Sequence, residues 1–200
     1  MMLLALPIAY LLGAIPFGYL LVMLRTGTDV RNSGSGNIGA TNVLRTTGRV
    51  AGVATLLLDI AKGYLAVWIA AKLTAGSPGW MSAAALAAVA GHAFPVFLQF
   101  KGGKAVATFI GAFLFLTPLA VLITSVVFVI MVAWTRAISM GSICGAAVFP
   151  LAVWLMGQPP LSILFASLAG SLFIIYRHSS NIRKLREGTE NVFRFGSPRP

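Results

Sequence analysis

Of 200 residues, 58% are hydrophobic and only 10% are charged, with a mean hydropathy of +0.90; this excludes an ordinary soluble domain and a disordered chain. The formal net charge is +11, from 15 Lys and Arg against 4 Asp and Glu. In a chain this apolar, the excess orients the protein in a bilayer and attracts anionic lipids or phosphorylated substrates, and no nucleic acid partner is expected.

A membrane-crossing helix needs about 20 apolar residues, and seven segments qualify as candidates. The first, 3–24, lies in "MMLLALPIAYLLGAIPFGYLLVML". No basic region precedes it and it outruns a signal-peptide core, so it is read as a span. The second, 50–71, carries Asp59 and Lys62 three residues apart, a mutually neutralising pair near mid-span. The third, 81–99, contains His92, read as structural, with Pro95 bending the segment one turn later. The fourth and fifth, 104–117 and 119–135, are short and meet at "LTPLA", where a tight turn or one kinked hairpin fits equally. The sixth, 141–157, opens at Ser142 in "GSICG", a small-residue pattern suited to close helix packing. Its Cys144 has no second cysteine to pair with and is read as a packing residue. The seventh is 161–176.

If the first span runs inward, Arg25, Arg31, Arg45, Arg49, Lys101, Lys104, Arg136, Arg177, Arg183, Lys184, Arg186, Arg194 and Arg199 fall inside and only Lys72 outside. This asymmetry predicts an all-α integral membrane protein with seven transmembrane helices, the N-terminus outside and the C-terminus cytoplasmic. Residues 1–200 form one polytopic domain. The polar loops 25–49, 100–108 and 135–142 and the tail 177–200 then share the cytoplasmic face, where any site is expected.

Three polar clusters carry chemistry. In "SGSGNIGATN" (33–42), glycines let backbone amides converge and Ser, Thr and Asn add donors, which suits an anion-cradling nest. Thr41 and Asn42 can open a short helix, with Arg45 about one turn on. The spacing is not a P-loop, so no nucleotide is implied. In "KGGKAVAT" (101–108), Lys104 sits at a helix N-terminus, where a cation is unfavourable unless it shares an anion with the dipole. In "HSSNIRKLREGTEN" (178–191), His178, Asn181 and Lys184 keep a helical rhythm; His178 can exchange a proton near neutrality and Asn181 can orient a hydroxyl or phosphate. The structural alternatives are a Gly/Ser linker, an anchoring lysine pair and a solvated basic tail. No HxxxxD, GxSxG or Asp-rich pair for magnesium occurs. A cationic, hydroxylic site without metal or cofactor is expected.

"SGSGNIGATNVLR", "GHAFPVFLQFKGGKAVAT" and "HSSNIRKLREGTE" resemble, in order and spacing, the three cytoplasmic motifs of the bacterial acyl-phosphate:glycerol-3-phosphate acyltransferases, the PlsY family. The resemblance spans nearly the whole chain. It implies transfer of a fatty acyl group from acyl phosphate to glycerol 3-phosphate, giving lysophosphatidic acid and phosphate at the bacterial inner membrane. Ser35, Gly36, Asn37, Thr41, Asn42 and Arg45 fall in the first motif, Gly102, Gly103 and Lys104 in the second, and His178, Asn181 and Glu190 in the third. Within that frame Ser35 and backbone amides hold acyl phosphate, Lys104 and Arg45 clamp phosphates, and Asn181 with His178 positions glycerol 3-phosphate. Ser142 joins the substrate-binding set, and the hydroxyl proton can leave to the substrate's own phosphate. The tail departs from the pattern at "HSSN", where a charged residue often follows the histidine. Lipid-borne substrate and product imply handover with enzymes that make acyl phosphate and consume lysophosphatidic acid. A transporter would need polar groups along a path outward, and the outer halves offer only Lys72 and a few hydroxyls.

Overall fold

Pro16 has no N–H to donate and cannot sit in a helix interior without breaking its ladder, and the first apolar segment divides there into α1 (Ala5–Ala14) and α2 (Phe17–Thr26). The span expected over 3–24 is thus two helices in series that together make one stretch of crossing length. The computed structural model describes residues 1–192. The last part of the expected tail, with Arg194 and Arg199, lies outside the described residues.

The remaining helices are α3 (Ala40–Thr46), α4 (Arg49–Leu73), α5 (Pro78–Ala93), α6 (Val106–Leu116), α7 (Pro118–Thr135), α8 (Ile138–Gly157), α9 (Leu161–Arg177) and α10 (Ser179–Arg186). A 3-10 turn, Val96–Leu98, follows Pro95. Each of the seven apolar segments contains helix, but among the described residues 5 stretches are long and apolar enough to cross a bilayer, the first running Met2–Thr26 through both α1 and α2. A sixth is reached if α9 and α10, bent by 53°, count as one. The fourth segment falls short because α6 has 11 residues, about 16 Å of helix. "LTPLA" is a tight turn: Pro118 stands in the first turn of α7, where its missing N–H costs nothing.

Close approach organises the bundle. A Cβ on Gly63 would strike the Thr108 carbonyl and one on Gly111 the Ile60 carbonyl, so these two glycines let α4 and α6 pack backbone to backbone. Behind that seam, Phe109, Phe113 and Phe149 form a ring cluster with centroids 4.5, 4.9 and 5.0 Å apart. α7 packs chiefly on α8 and turns Leu122, Val126, Val129 and Ile130 outward, as a lipid-facing helix does.

Candidate active site

Asn42 organises the first polar loop. It is 2% exposed. Its Oδ1 accepts the Ser35 N–H at 2.8 Å, and its Nδ2 faces the carbonyls of Asn37 at 2.8 Å, Ser33 at 3.0 Å and Val30 at 3.3 Å. One side chain thus closes residues 30–42 into a knot; Gly34, with φ +60°, lies so near that a Cβ would strike the same Oδ1. This changes two expectations. Asn42 spends its hydrogen-bonding capacity within the chain, and the amides of Ser35, Gly36 and Gly39 also donate internally. The loop presents side chains more than an open nest of amides: Ser35, Asn37, Thr41 and Arg45 border the cavity described below, whereas Gly36 does not. Asp29 is explained as well, since it forms a bidentate pair with Arg31, Nη2 to Oδ2 at 2.6 Å, that holds its carboxyl below the usual range.

The second motif hangs from the end of α5. Gly103 N–H donates to the His92 carbonyl at 3.1 Å and Gly102 N–H to the Ala93 carbonyl at 3.2 Å. Arg177 on α9 donates Nη2 to the Gly103 carbonyl at 2.9 Å. A Cβ on Gly102 would meet the His92 carbonyl, and one on Gly103 the His92 ring. Both glycines are thus demanded by packing, and neither borders the cavity; their service is to deliver Lys104.

Lys104 reaches across to the tail and donates to Asn181 Oδ1. Asn181 Nδ2 donates to Glu190 Oε1 at 2.8 Å, and Ser139 Oγ donates to the same oxygen at 2.8 Å. Glu190, expected at the substrate, borders the cavity and through Oε1 also fastens the tail to α8. Ser139 escaped the sequence reading, although its placement three residues before Ser142 put both hydroxyls on one helix face. Burial pushes the Lys104 ammonium down to about 8, against the Glu190 carboxylate, which raises it.

His178 stands between α9 and α10 and is 3% exposed. Its Nδ1 lies 2.8 Å from the Ile174 carbonyl. A carbonyl only accepts, so Nδ1 carries the proton and Nε2 the lone pair. Burial pushes this imidazole down to about 4, with the nearby Lys104 charge acting in the same direction. His178 is neutral at physiological pH and a weak base.

These parts surround one cavity of about 400 Å³. Its mouth is polar, with Ser35, Thr41, Arg45, Lys104, Asn181 and Glu190; Ser142 and His178 stand on its wall. Its inner part is largely apolar, bordered by Leu56, Ile60, Ile110, Val121, Phe128 and Phe149, with Asp59 and His92 also on its wall. Loop 25–49, the second motif, the start of α8 and the tail, widely separated in sequence, therefore meet at one place. A pocket with a cationic mouth and a greasy interior accommodates a ligand with an anionic head and a long apolar tail.

Comparison with known proteins agrees. The family model described as glycerol-3-phosphate acyltransferase matches residues 3–188. A glycerol-3-phosphate acyltransferase of Geobacter sulfurreducens is 50% identical over 187 residues, 94% of this chain and 95% of that one. The one of Geobacter metallireducens is 52% identical over 187 residues, covering 93% and 94%. The fold is similar to the crystal structure of PlsY, an integral membrane glycerol 3-phosphate acyltransferase, in its glycerol 3-phosphate form, with a TM-score of 0.91 at 39% identity over 96% of this chain and 95% of that one. The lysophosphatidic acid form gives a TM-score of 0.88 at 37% identity, with the same coverage. The cationic mouth over an apolar pocket is thus found on the fold and sequence of one enzyme family: this chain belongs to the glycerol-3-phosphate acyltransferases.

Proposed function

We propose that this protein transfers a fatty acyl group from acyl phosphate to the hydroxyl of glycerol 3-phosphate, forming lysophosphatidic acid and inorganic phosphate. The observation that carries the reading is the meeting of Lys104 and Asn181 at the mouth of a cavity whose interior is apolar. One ligand brings an anion and a long tail, the other an anion and a hydroxyl, and the mouth offers Arg45 and Lys104 to both phosphates.

Acyl phosphate is a mixed anhydride with a good leaving group. The enzyme's task is to bring together two anions that repel and to hold them in line. Arg45 and Lys104 offset the repulsion, and Ser35 adds a hydroxyl donor. The glycerol oxygen attacks the acyl carbon, the bond from that carbon to the phosphate oxygen breaks, and phosphate departs. Neutral His178 orients the attacking hydroxyl by accepting its hydrogen bond at Nε2. An imidazole held near 4 is a poor acceptor of the whole proton, so that proton passes to the phosphate of the substrate. No metal or cofactor takes part in this scheme.

The same reading places the chain in a bacterial inner membrane as one domain, with seven membrane-embedded segments, the N-terminus outside and the tail in the cytoplasm. Lipid substrate and product then exchange within the bilayer with the enzymes that make acyl phosphate and use lysophosphatidic acid. Protein reconstituted in lipid and supplied with labelled glycerol 3-phosphate tests the donor: product with palmitoyl phosphate but not with acyl-CoA or acyl carrier protein is expected. Product from a thioester donor alone contradicts the reading.

A further inference from the structure

Asp59 and Lys62 on α4 and His92 on α5 form a polar cluster inside the bundle, their side chains 2%, 2% and 4% exposed, and Asp59 and His92 border the inner end of the same cavity. Lys62 Nζ lies 2.8 Å from Asp59 Oδ1 and donates to the Ile15 carbonyl at 2.7 Å, at the break between α1 and α2. His92 Nδ1 lies 3.6 Å from Asp59 Oδ1 and 3.1 Å from Thr108 Oγ1 on α6. The ring is thereby fixed from two sides. Its far nitrogen, Nε2, underlies Gly103 so closely that a methyl group there would strike it. The His92 carbonyl accepts the Gly103 N–H. The contacts therefore run from Ile15 through α4, α5 and α6 and end one residue before Lys104.

An ion pair within a membrane bundle is costly and is retained for a purpose. Neutralising Asp59 needs only Lys62; the added imidazole, and the glycine it demands above it, are unexplained by charge balance. The backbone continues the constraint, since Ala105, next after Lys104, is held at φ +61°, a conformation a residue with a Cβ adopts only where its surroundings enforce it.

We propose that Asp59, Lys62 and His92 are positioning residues for Lys104. The ion pair and Thr108 lock the imidazole, and the imidazole with its own carbonyl sets the height of the Gly102–Gly103 segment from which Lys104 reaches Asn181. The proposal rests on the reading of Lys104 as a phosphate-binding residue.

Two variants test this with little disturbance of volume or charge balance. Thr108→Val removes one hydroxyl at nearly constant volume. The double variant Asp59→Asn/Lys62→Met removes both charges, so neither is left buried without its partner. In lipid, the acetylation rate of Lys104 by acetic anhydride is measured against that of exposed Lys101 by mass spectrometry, beside kcat and KM for glycerol 3-phosphate. Loss of one hydrogen bond sets the scale of the change at about threefold to tenfold. Thr108→Val is expected to raise the Lys104 to Lys101 ratio and the KM by that factor, with kcat and melting temperature little changed, and the double variant to do so more strongly. A lower melting temperature with an unchanged ratio and KM means the cluster is only structural and overturns the proposal. So does a wild-type ratio in Thr108→Val when the double variant fails to fold. A kcat loss with the ratio unchanged would mean direct contact with substrate and overturns it as well. Lys104→Ala, assayed in parallel, separates the two readings: full activity there defeats the phosphate-binding role of Lys104 itself, independently of the cluster.

Discussion

Lys104 donates a hydrogen bond to Oδ1 of Asn181, joining positions 77 residues apart. Because Nδ2 of the same amide donates to Glu190, the amide's orientation is dictated from both ends. Asn181→Asp retains the acceptor for Lys104, loses the donor to Glu190 and sets two carboxylates side by side. It should lower kcat/KM for glycerol 3-phosphate about 100-fold, a loss that steady-state assay in lipid will read. Activity within a factor of about two of wild type would show that Asn181 only bridges structure.

The Lys104 ammonium, held near 8 by burial, dictates a pH response. Phosphate binding needs the charged form, so kcat/KM should fall as pH rises through about 8. Bound phosphate favours the ammonium, which displaces the corresponding limb of kcat to higher pH. In Lys104→Arg the guanidinium stays charged and this limb should vanish from the profile. An identical limb in both proteins would assign it to another group.

His178 predicts an effect on stability with a definite sign. Its ordinary value of 6.5 falls to about 4 in the folded chain, so between those values the unfolded chain binds a proton that the folded chain does not. Stability therefore rises with pH through that window and is lost as pH falls. His178→Gln should show a flatter dependence of melting temperature on pH between 4 and 6.5 than wild type. Equal slopes would contradict the buried neutral imidazole.

Asn42→Ala removes the acceptor for Ser35 and the donor to the loop carbonyls. Leaving those buried groups unpaired costs about 2–3 kcal/mol. The expected result is a lower melting temperature with loss of activity, because the knot carrying Ser35, Thr41 and Arg45 opens. A variant that loses activity at unchanged melting temperature would return Asn42 to a direct role at the substrate.

Ser139 and Asn181 share one oxygen of Glu190. Ser139→Ala and Glu190→Ala should each raise KM for glycerol 3-phosphate, the second more, and the double variant should resemble Glu190→Ala alone. Additive effects would mean that the two residues act separately.

The apolar segments were legible because helices in lipid must close their own hydrogen bonds and need length. What escaped was tertiary. Pro16 divides the first expected span into two helices that still make one crossing-length stretch, and α6 is shorter than the expected 104–117 because Ala105, at φ +61°, lets the helix begin only at Val106. The motifs declared where polar chemistry gathers: Ser35, Arg45, Lys104, His178 and Asn181 do meet at or line the same cavity. Composition could not separate the groups facing that cavity from those that hold them there. Gly102 and Gly103 have the residue types of a binding site and are claimed by packing against His92, whereas Asn42 and Glu190 border the cavity and brace its wall at the same time. Ser139 lies in the polar loop 135–142, but its bond to Glu190 became visible only when α8 met the tail.

The central claim is tested most directly by supplying palmitoyl phosphate and labelled glycerol 3-phosphate to wild type and Lys104→Ala in lipid and counting both products. The account predicts lysophosphatidic acid and inorganic phosphate in equal amounts from wild type, and almost none from a folded Lys104→Ala. Phosphate released without lysophosphatidic acid, or equal turnover by the two proteins, would contradict it.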